Sequence, residues 1–241
     1  MSHARPDCPA LPSADAVPEK GRTASVGSGA WLGLGDRLKK DEWEVRDIDI
    51  DVARRLVQKY HYAAGASNTA TYLHGLFRRG AFWEEDCLGC AWWIPPTKSA
   101  ALATYPANWK GVLALSRLVI APTVPKNACT FLLARSRRAI PAKDWPCLVT
   151  YADEWRGHTG AIYLADNWTY VGLTGAEATF TINGVMTARK AGGHTRTQAE
   201  MLALGARNEG RHAKHKFVFA RVRPNKQVSR GAQPTPDSQH P

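Results

Sequence analysis

No apolar run in this 241-residue chain is long enough to span a membrane as a helix. The first residues, MSHARPDCPALPSADAVPEKGR, lack a charged start followed by an apolar stretch, so secretion is not expected. Cysteine is scarce and odd in number: Cys8, Cys87, Cys90, Cys129 and Cys147. Three of the five lie in apolar strand-like or helical segments, which predicts reduced core thiols and not a disulfide frame. Cys87-Leu-Gly-Cys90 has no second pair, so core packing is expected there and zinc is not. No internal repeat is present. These absences predict a soluble cytoplasmic protein, and a 44% hydrophobic content suffices for one sizeable core.

Charge is abundant but uneven. The net charge is +11, and residues 189–230 carry eleven Lys and Arg against Glu200 and Glu209. Such a stripe is the footprint of a nucleic-acid partner, with a solvated basic surface as the plain alternative. Residues 1–42 read as a disordered leader and residues 224–241 as a disordered tail, both rich in Pro, Gly, Ser or Ala. The domain between them spans residues 43–223.

Within it, strands are predicted over 44–48, 72–78, 87–94, 112–120, 147–153, 168–173, 185–190 and 216–222, and helices over 51–60, 126–140 and 197–204. The second helix is fenced by Pro125 and Pro141. An irregular insertion, TKSAALATYPANWKG, interrupts the strands, and a Gly157-His-Thr-Gly160 run starts a further helix. From Leu113 to Gly172 the order is βαβαβ, with polar residues at strand ends and helix starts, where open α/β sheets place their chemistry. The fold class is α/β, a mixed sheet of six to seven strands with helices on both faces.

Several polar residues stand out within that frame. Arg117 sits in a strand that is otherwise almost wholly apolar, where a guanidinium is costly without a ligand or a partner; Asp153 is the candidate ion-pair partner. Asp153 ends its strand and reads equally as a base or metal ligand and as a turn cap. Tyr163 reads from its surroundings as a core aromatic on an amphipathic helix. His61 and Tyr62 close a helix beside the small-residue run AAGASNT. With Asp153 they would make an oxygen–nitrogen set suited to iron or to base catalysis. His158 is assigned no chemistry. Trp92, Trp93, Trp109 and Trp155 read either as core or as base-stacking surfaces.

The succession LSRLVIAP, helix, LVTYAD, AIYLADNWTYVG resembles the acetyl-CoA-binding half of the GNAT acyltransferases. One departure is the missing Arg/Gln-x-x-Gly-x-Gly/Ala phosphate loop, replaced here by Pro122-Thr-Val-Pro-Lys-Asn127. A narrower resemblance accounts for it. Lys59-Tyr-His61-Tyr62, Leu115-Ser-Arg117, Pro125-Lys-Asn127, Tyr151-Ala-Asp153, Gly157-His-Thr-Gly160, Tyr163, Asn167-Trp168 and Lys214-His-Lys-Phe-Val218 are together similar to the Mom family of phage DNA-modification proteins, a divergent GNAT branch.

That resemblance implies splayed central parallel strands with acetyl-CoA as cosubstrate between them, held by Leu118, Val119, Lys126, Asn127, Ala128 and Asn167. It implies double-stranded DNA with a flipped adenine as partner, and conversion of that adenine to the N6-carbamoylmethyl form, an anti-restriction function in the host cytoplasm. Arg117 would position substrate, Asp153 or His61 would act as base with Tyr62 beside them, and Tyr163 would be the acid. Because a carbamoylmethyl group joins through carbon, plain acyl transfer cannot make it, which motivates iron at His61, Tyr62 and Asp153. Arg189, Lys190, Arg196, Arg211, Lys214 and Lys216 would hold DNA phosphates. The alternatives are an N-acetyltransferase acting on an amino-modified base or small amine, and a non-catalytic DNA-binding protein. Oligomeric state is open, a homodimer included.

Overall fold

The computed structural model describes residues 37–221 apart from 64, 66 and 192. The expected leader up to residue 36 and the expected tail lie outside the described residues, as do Cys8, Arg223, Lys226 and Arg230. Among residues 37–42 the Leu38 N–H donates to the Lys126 carbonyl (3.0 Å).

In chain order the elements are β1 (Trp43–Asp47), α1 (Ile50–Tyr60), β2 (Tyr72–Arg78), β3 (Gly89–Ile94), α2 (Lys98–Leu102), β4 (Val112–Ile120), α3 (Ala128–Ala139), β5 (Cys147–Asp153), α4 (Ala161–Ala165) and β6 (Thr169–Leu173). An insertion follows, with β7 (Glu177–Ile182), β8 (Val185–Met186), β9 (Lys190–Ala191), β10 (His194–Thr195), α5 (Gln198–Ala203) and β11 (Arg207–His212). The chain then returns as β12 (Lys214–Ala220). One seven-stranded sheet has the order β1-β2-β3-β4-β5-β12-β6. Its pairs are antiparallel except β4 with β5. The mixed α/β sheet expected from the sequence is therefore what forms.

Helices cover both faces, which is why the central strands read as continuous apolar runs. On one face α3 packs Leu132 and Leu133 against Leu76, Trp93, Leu113, Leu115 and Leu148. On the other, α1 buries Val52, Ala53, Leu56 and Val57, a one-sided helical stripe, against Phe77, Cys90, Trp92 and Val119. Farther along that second face Ala101 of α2 covers Val112, Ala114, Cys147, Val149 and Val218. Trp92 and Trp93 are fully buried; the Trp93 indole N–H donates to Ser136 Oγ (2.7 Å) and that of Trp92 to the Thr69 carbonyl (3.1 Å). Both belong to the core, not to a stacking surface. Cys87 and Cys90 are likewise buried, and burial raises their thiols to about 11 and about 12.

The insertion differs from the expected single strand over 185–190. Asn183 (φ 51°) and Gly184 (φ 77°) make a two-residue turn joining β7 to β8, the Asn-Gly hairpin signal that favours positive φ at both positions. β9 instead pairs with β10 in a separate ribbon, and β11 joins β7. Helix α5 starts with a capping box in which Thr197 and Glu200 satisfy each other's backbone N–H groups. Phe180, Met201 and Ala206 give this unit a small core of its own.

Candidate active site

β4 and β5 pair only from Val112 with Cys147 to Leu115 with Thr150, so the last five residues of β4 leave their neighbour. The parting coincides with a β-bulge at Ser116: Trp93 pairs with Leu115 and Trp92 with Arg117, although one residue separates those two in β4. The bulge also changes which face each side chain takes. Leu113 and Leu115 belong to the α3 face, and so do Leu118 and Ile120, whereas Val119 packs under α1. An unbulged strand alternates strictly, so Arg117 would follow Leu113 and Leu115 onto the α3 face. With Ser116 extruded it lies with Val119 on the α1 side.

Asp153 comes to the same face, two and four residues beyond Tyr151 and Val149, which pack with the α2 cluster. It is 3% exposed and precedes the turn Glu154–Arg156 without making a side-chain cap. The capping alternative therefore fails, and so does the ion pair with Arg117. Arg117 instead donates from Nε (3.0 Å) and Nη2 (2.7 Å) to the Gly65 carbonyl and from Nη1 to the Ser116 carbonyl (2.7 Å). These bonds tie the loop after α1 down over the notch and bring His61 and Tyr62 with it.

The Tyr62 ring stacks on His61 at 4.4 Å, meets the His158 ring edge-on at 5.3 Å, and has the Arg156 guanidinium over it at 5.3 Å. Burial and then Asp153 push its phenol well above the ordinary tyrosine range. His61 is pulled down to about 4, mainly by burial and next by the Arg117 charge, and its Nδ1 accepts from the Ala63 N–H (3.1 Å). At neutral pH it is therefore an uncharged ring turned to its own loop. Sequence reasoning assigned no chemistry to His158 or Arg156, and left Trp155 as either core or stacking surface. Gly157 (φ 69°) and Gly160 (φ 75°), both left-handed, bracket His158 and turn it toward Tyr62; this was the signal in the Gly-His-Thr-Gly run.

Tyr163 approaches from the α3 face. Its phenol lies beside Thr150, the last β5 residue paired with β4, and burial raises it to about 12. Thr150 Oγ1 donates in turn to the Leu115 carbonyl (3.3 Å). Packing against Trp168 and Phe217 holds the ring. Behind it, Asp166 of the α4 C-cap accepts two bonds from Arg137 of α3 (2.8 and 3.0 Å) and one from the Trp168 indole (3.1 Å). Tyr163 and the Arg117–Tyr62–Asp153 group thus flank the parting point from opposite faces.

A CoA-type thioester fits these residues on two counts. β4 beyond Leu115 has no β5 partner, leaving a backbone edge between Leu118–Val119 and the opposite strand. Asn127, in a left-handed conformation (φ 68°), starts the twelve-residue α3 beside the exposed Lys126; the Ala128 N–H donates to the Pro125 carbonyl (3.3 Å), and the first-turn N–H groups after it favour an anion there. Ala128 is buried at 1%. Asn167 has φ 62°, so its place in the turn before β6 follows from Asn tolerating positive φ.

Iron is not supported. Among the described residues no three His, Cys, Asp or Glu side chains converge to hold a metal ion. His61 Nδ1 is already engaged, and the Arg117 charge acting on both His61 and Tyr62 opposes a second cation between them.

The basic residues divide. Arg189, Lys190, Arg196 and Arg211 are on the insertion, where Arg189 donates to the Arg196 carbonyl (2.8 Å) and Arg211 to that of Ala176. Lys214 and Lys216 are on the main sheet, Lys214 directly opposite Asp153 and Lys216 opposite Tyr151. Lys216 donates to the Ala103 carbonyl (3.3 Å), and burial lowers its pKa. Trp155, against His212 of β11 (5.7 Å), links the site to the insertion. No helix among the described residues is long and apolar enough to cross a membrane.

Methylcarbamoylase mom of Escherichia phage Mu is 26% identical to this chain over 226 residues, covering 86% of this chain and 88% of that protein. Solved structures similar to this chain include spermidine N-acetyltransferase from Vibrio cholerae, in complex with CoA and spermine (TM-score 0.45, 10% identity, 75% of this chain and 96% of that one). An N-acetyltransferase from Staphylococcus aureus Mu50 is another (TM-score 0.44, 12% identity, 75% and 99%). The family model for the Mom protein family matches residues 42–236, most of the 241-residue sequence, and the chain belongs to that family.

Proposed function

We propose that this chain modifies adenine in double-stranded DNA at N6, with acetyl-CoA as cosubstrate and N6-carbamoylmethyladenine as product. The observation that carries the reading is the two-sided arrangement at the β4–β5 notch, with a proton donor on the α3 face and a polar cluster on the α1 face. It agrees with the activity named for the phage Mu relative. Bound acetyl-CoA supplies the two-carbon unit as an activated thioester. An amide-nitrogen donor and an oxidant for replacing C–H by C–N are co-reactants the product also requires.

The residues divide the remaining work. Tyr163 stays protonated at neutral pH and stands beside Thr150, where β4 and β5 part, as the proton donor for a leaving thiolate. Arg117 closes the loop carrying His61 and Tyr62, excluding water from the α1 face. Asp153 provides negative charge beside the acceptor amine. Lys214, across the strand pair from Asp153, meets the phosphate of the target nucleotide, and Lys190 and Arg211 extend the contact along the insertion. The adenine is flipped out of the duplex, since its N6 is otherwise engaged in pairing.

Plasmid DNA from bacterial cells expressing the full chain is digested to nucleosides and analysed by mass spectrometry. A deoxyadenosine heavier by one carbamoylmethyl group is expected. Unmodified nucleosides from cells holding folded protein refute the reading, and an acetylated amine in its place identifies an ordinary N-acetyltransferase.

A further inference from the structure

We propose that His158 is the base that takes the proton from the acceptor amine. This rests on the reading that N6 of adenine is modified at the α1 face of the notch. The part of His158 in the step is confined to one proton. As N6 bonds carbon, a C–H bond of that carbon breaks with its hydrogen and two electrons passing to the oxidant the product requires. The N6–H bond breaks with its electron pair staying on nitrogen, and that proton passes to an imidazole nitrogen of His158 and then to water.

Three groups compete for the role, and geometry separates them. His61 is engaged through Nδ1 with Ala63 and lies under the Arg117 charge. Asp153 is almost wholly buried at the end of β5, with no route of its own for handing a proton to solvent. His158 is exposed, and neither ring nitrogen hydrogen-bonds another described residue, so both are free for substrate and water. Its backbone N–H donates to the Asp153 carbonyl (3.1 Å), which fixes where the residue starts. The edge-on contact with Tyr62 at 5.3 Å fixes where the ring ends.

The charged and titratable groups around it come from three elements: Asp153 of β5, Arg156 of the following turn, and His61 and Tyr62 of the loop after α1. Although the residue reaches solvent, partial burial of the ring against Tyr62 lowers its pKa and Arg156 adds to that, so it can accept a proton, while Asp153 favours the cation formed once it has. The arrangement is that of a base steadied by a carboxylate.

The experiment uses lysates of cells expressing the full chain, which supply the co-reactants, with added plasmid DNA and nucleoside mass spectrometry over time and pH. His158→Ala is expected to slow modification by about 100-fold or more, with His158→Gln equally slow. Added imidazole is expected to restore the His158→Ala rate by about 10-fold, as a missing general base allows. Melting temperature and DNA affinity of both variants are expected to match the parent. A His158→Gln rate within about threefold of the parent across the pH range overturns the proposal, since general-base loss costs far more. So does a slow His158→Ala that imidazole leaves unchanged, which marks a structural role. If the parent chain itself yields no modified adenine, the proposed function falls, and the base assignment with it.

Discussion

Deleting Ser116 is expected to leave the fold standing and abolish acetyl-CoA binding. Ser116 is the extra residue of the bulge, so without it Leu115 and Arg117 become consecutive opposite Trp93 and Trp92, the pairing they already have. Every other side chain of β4 keeps its face, and Leu113, Leu115 and Ile120 stay in the α3 core. The loss is then the Nη1 bond from Arg117 to the Ser116 carbonyl, about 1.5–3 kcal/mol for a charge-assisted bond. For a domain of this size that corresponds to a melting temperature lower by roughly 3–12 °C. Straightened, β4 would continue beside β5 past Thr150 and close the edge that the cosubstrate needs. Deleting Ala114 is the control. It turns Leu113, which is 0% exposed, out of the α3 core, at a cost of about 3–5 kcal/mol or outright misfolding. Thermal melting with isothermal titration of acetyl-CoA reads both effects. A Ser116 deletion that melts as low as the Ala114 deletion, or that binds acetyl-CoA like the parent, refutes the account of the bulge.

Three further outcomes are expected. Asp166→Ala strands the Arg137 guanidinium, only 12% exposed, and frees the α4 end that carries Tyr163; a loss of about 3–5 kcal/mol should appear in urea melts. The His61 pKa is depressed in the fold, so its contribution is complete above its ordinary 6.5 and is lost as pH falls through about 4. About 2 kcal/mol should disappear across that window after screening of the half-buried ring, and His61→Gln should flatten the pH dependence of stability there. Gly160→Ala sets a Cβ 2.2 Å from the Phe217 ring at φ 75°. It should cost about 2 kcal/mol or more, against little effect for Gly157→Ser, whose Cβ meets nothing within 4 Å, beyond the strain of its own positive φ.

Much of the scaffold was legible in order along the chain because its causes are local. Prolines fence α3, apolar runs mark the strands covered on both faces, and the stripe Val52, Ala53, Leu56, Val57 marks α1. The hairpin at Asn183-Gly184 and the Thr197–Glu200 capping box were equally local, and both stand in the sequence as plain signals. The candidate site was legible in part as a set of anomalies, an arginine inside an apolar strand and an acid at a strand end, whereas the two glycines around His158 were read only as a helix start. What each does was not legible.

By itself the sequence determined the βαβαβ order from Leu113 to Gly172, its family resemblance and the concentration of positive charge toward the C-terminus. The tertiary structure alone decided that Arg117 faces α1, because strand parity is set by pairing with β3 and a single extruded residue reverses it. It also decided that Arg117 grips a carbonyl 52 residues away instead of Asp153, and that His158 meets Tyr62. Such partners are chosen by how distant segments pack together, which residue spacing along the chain does not encode.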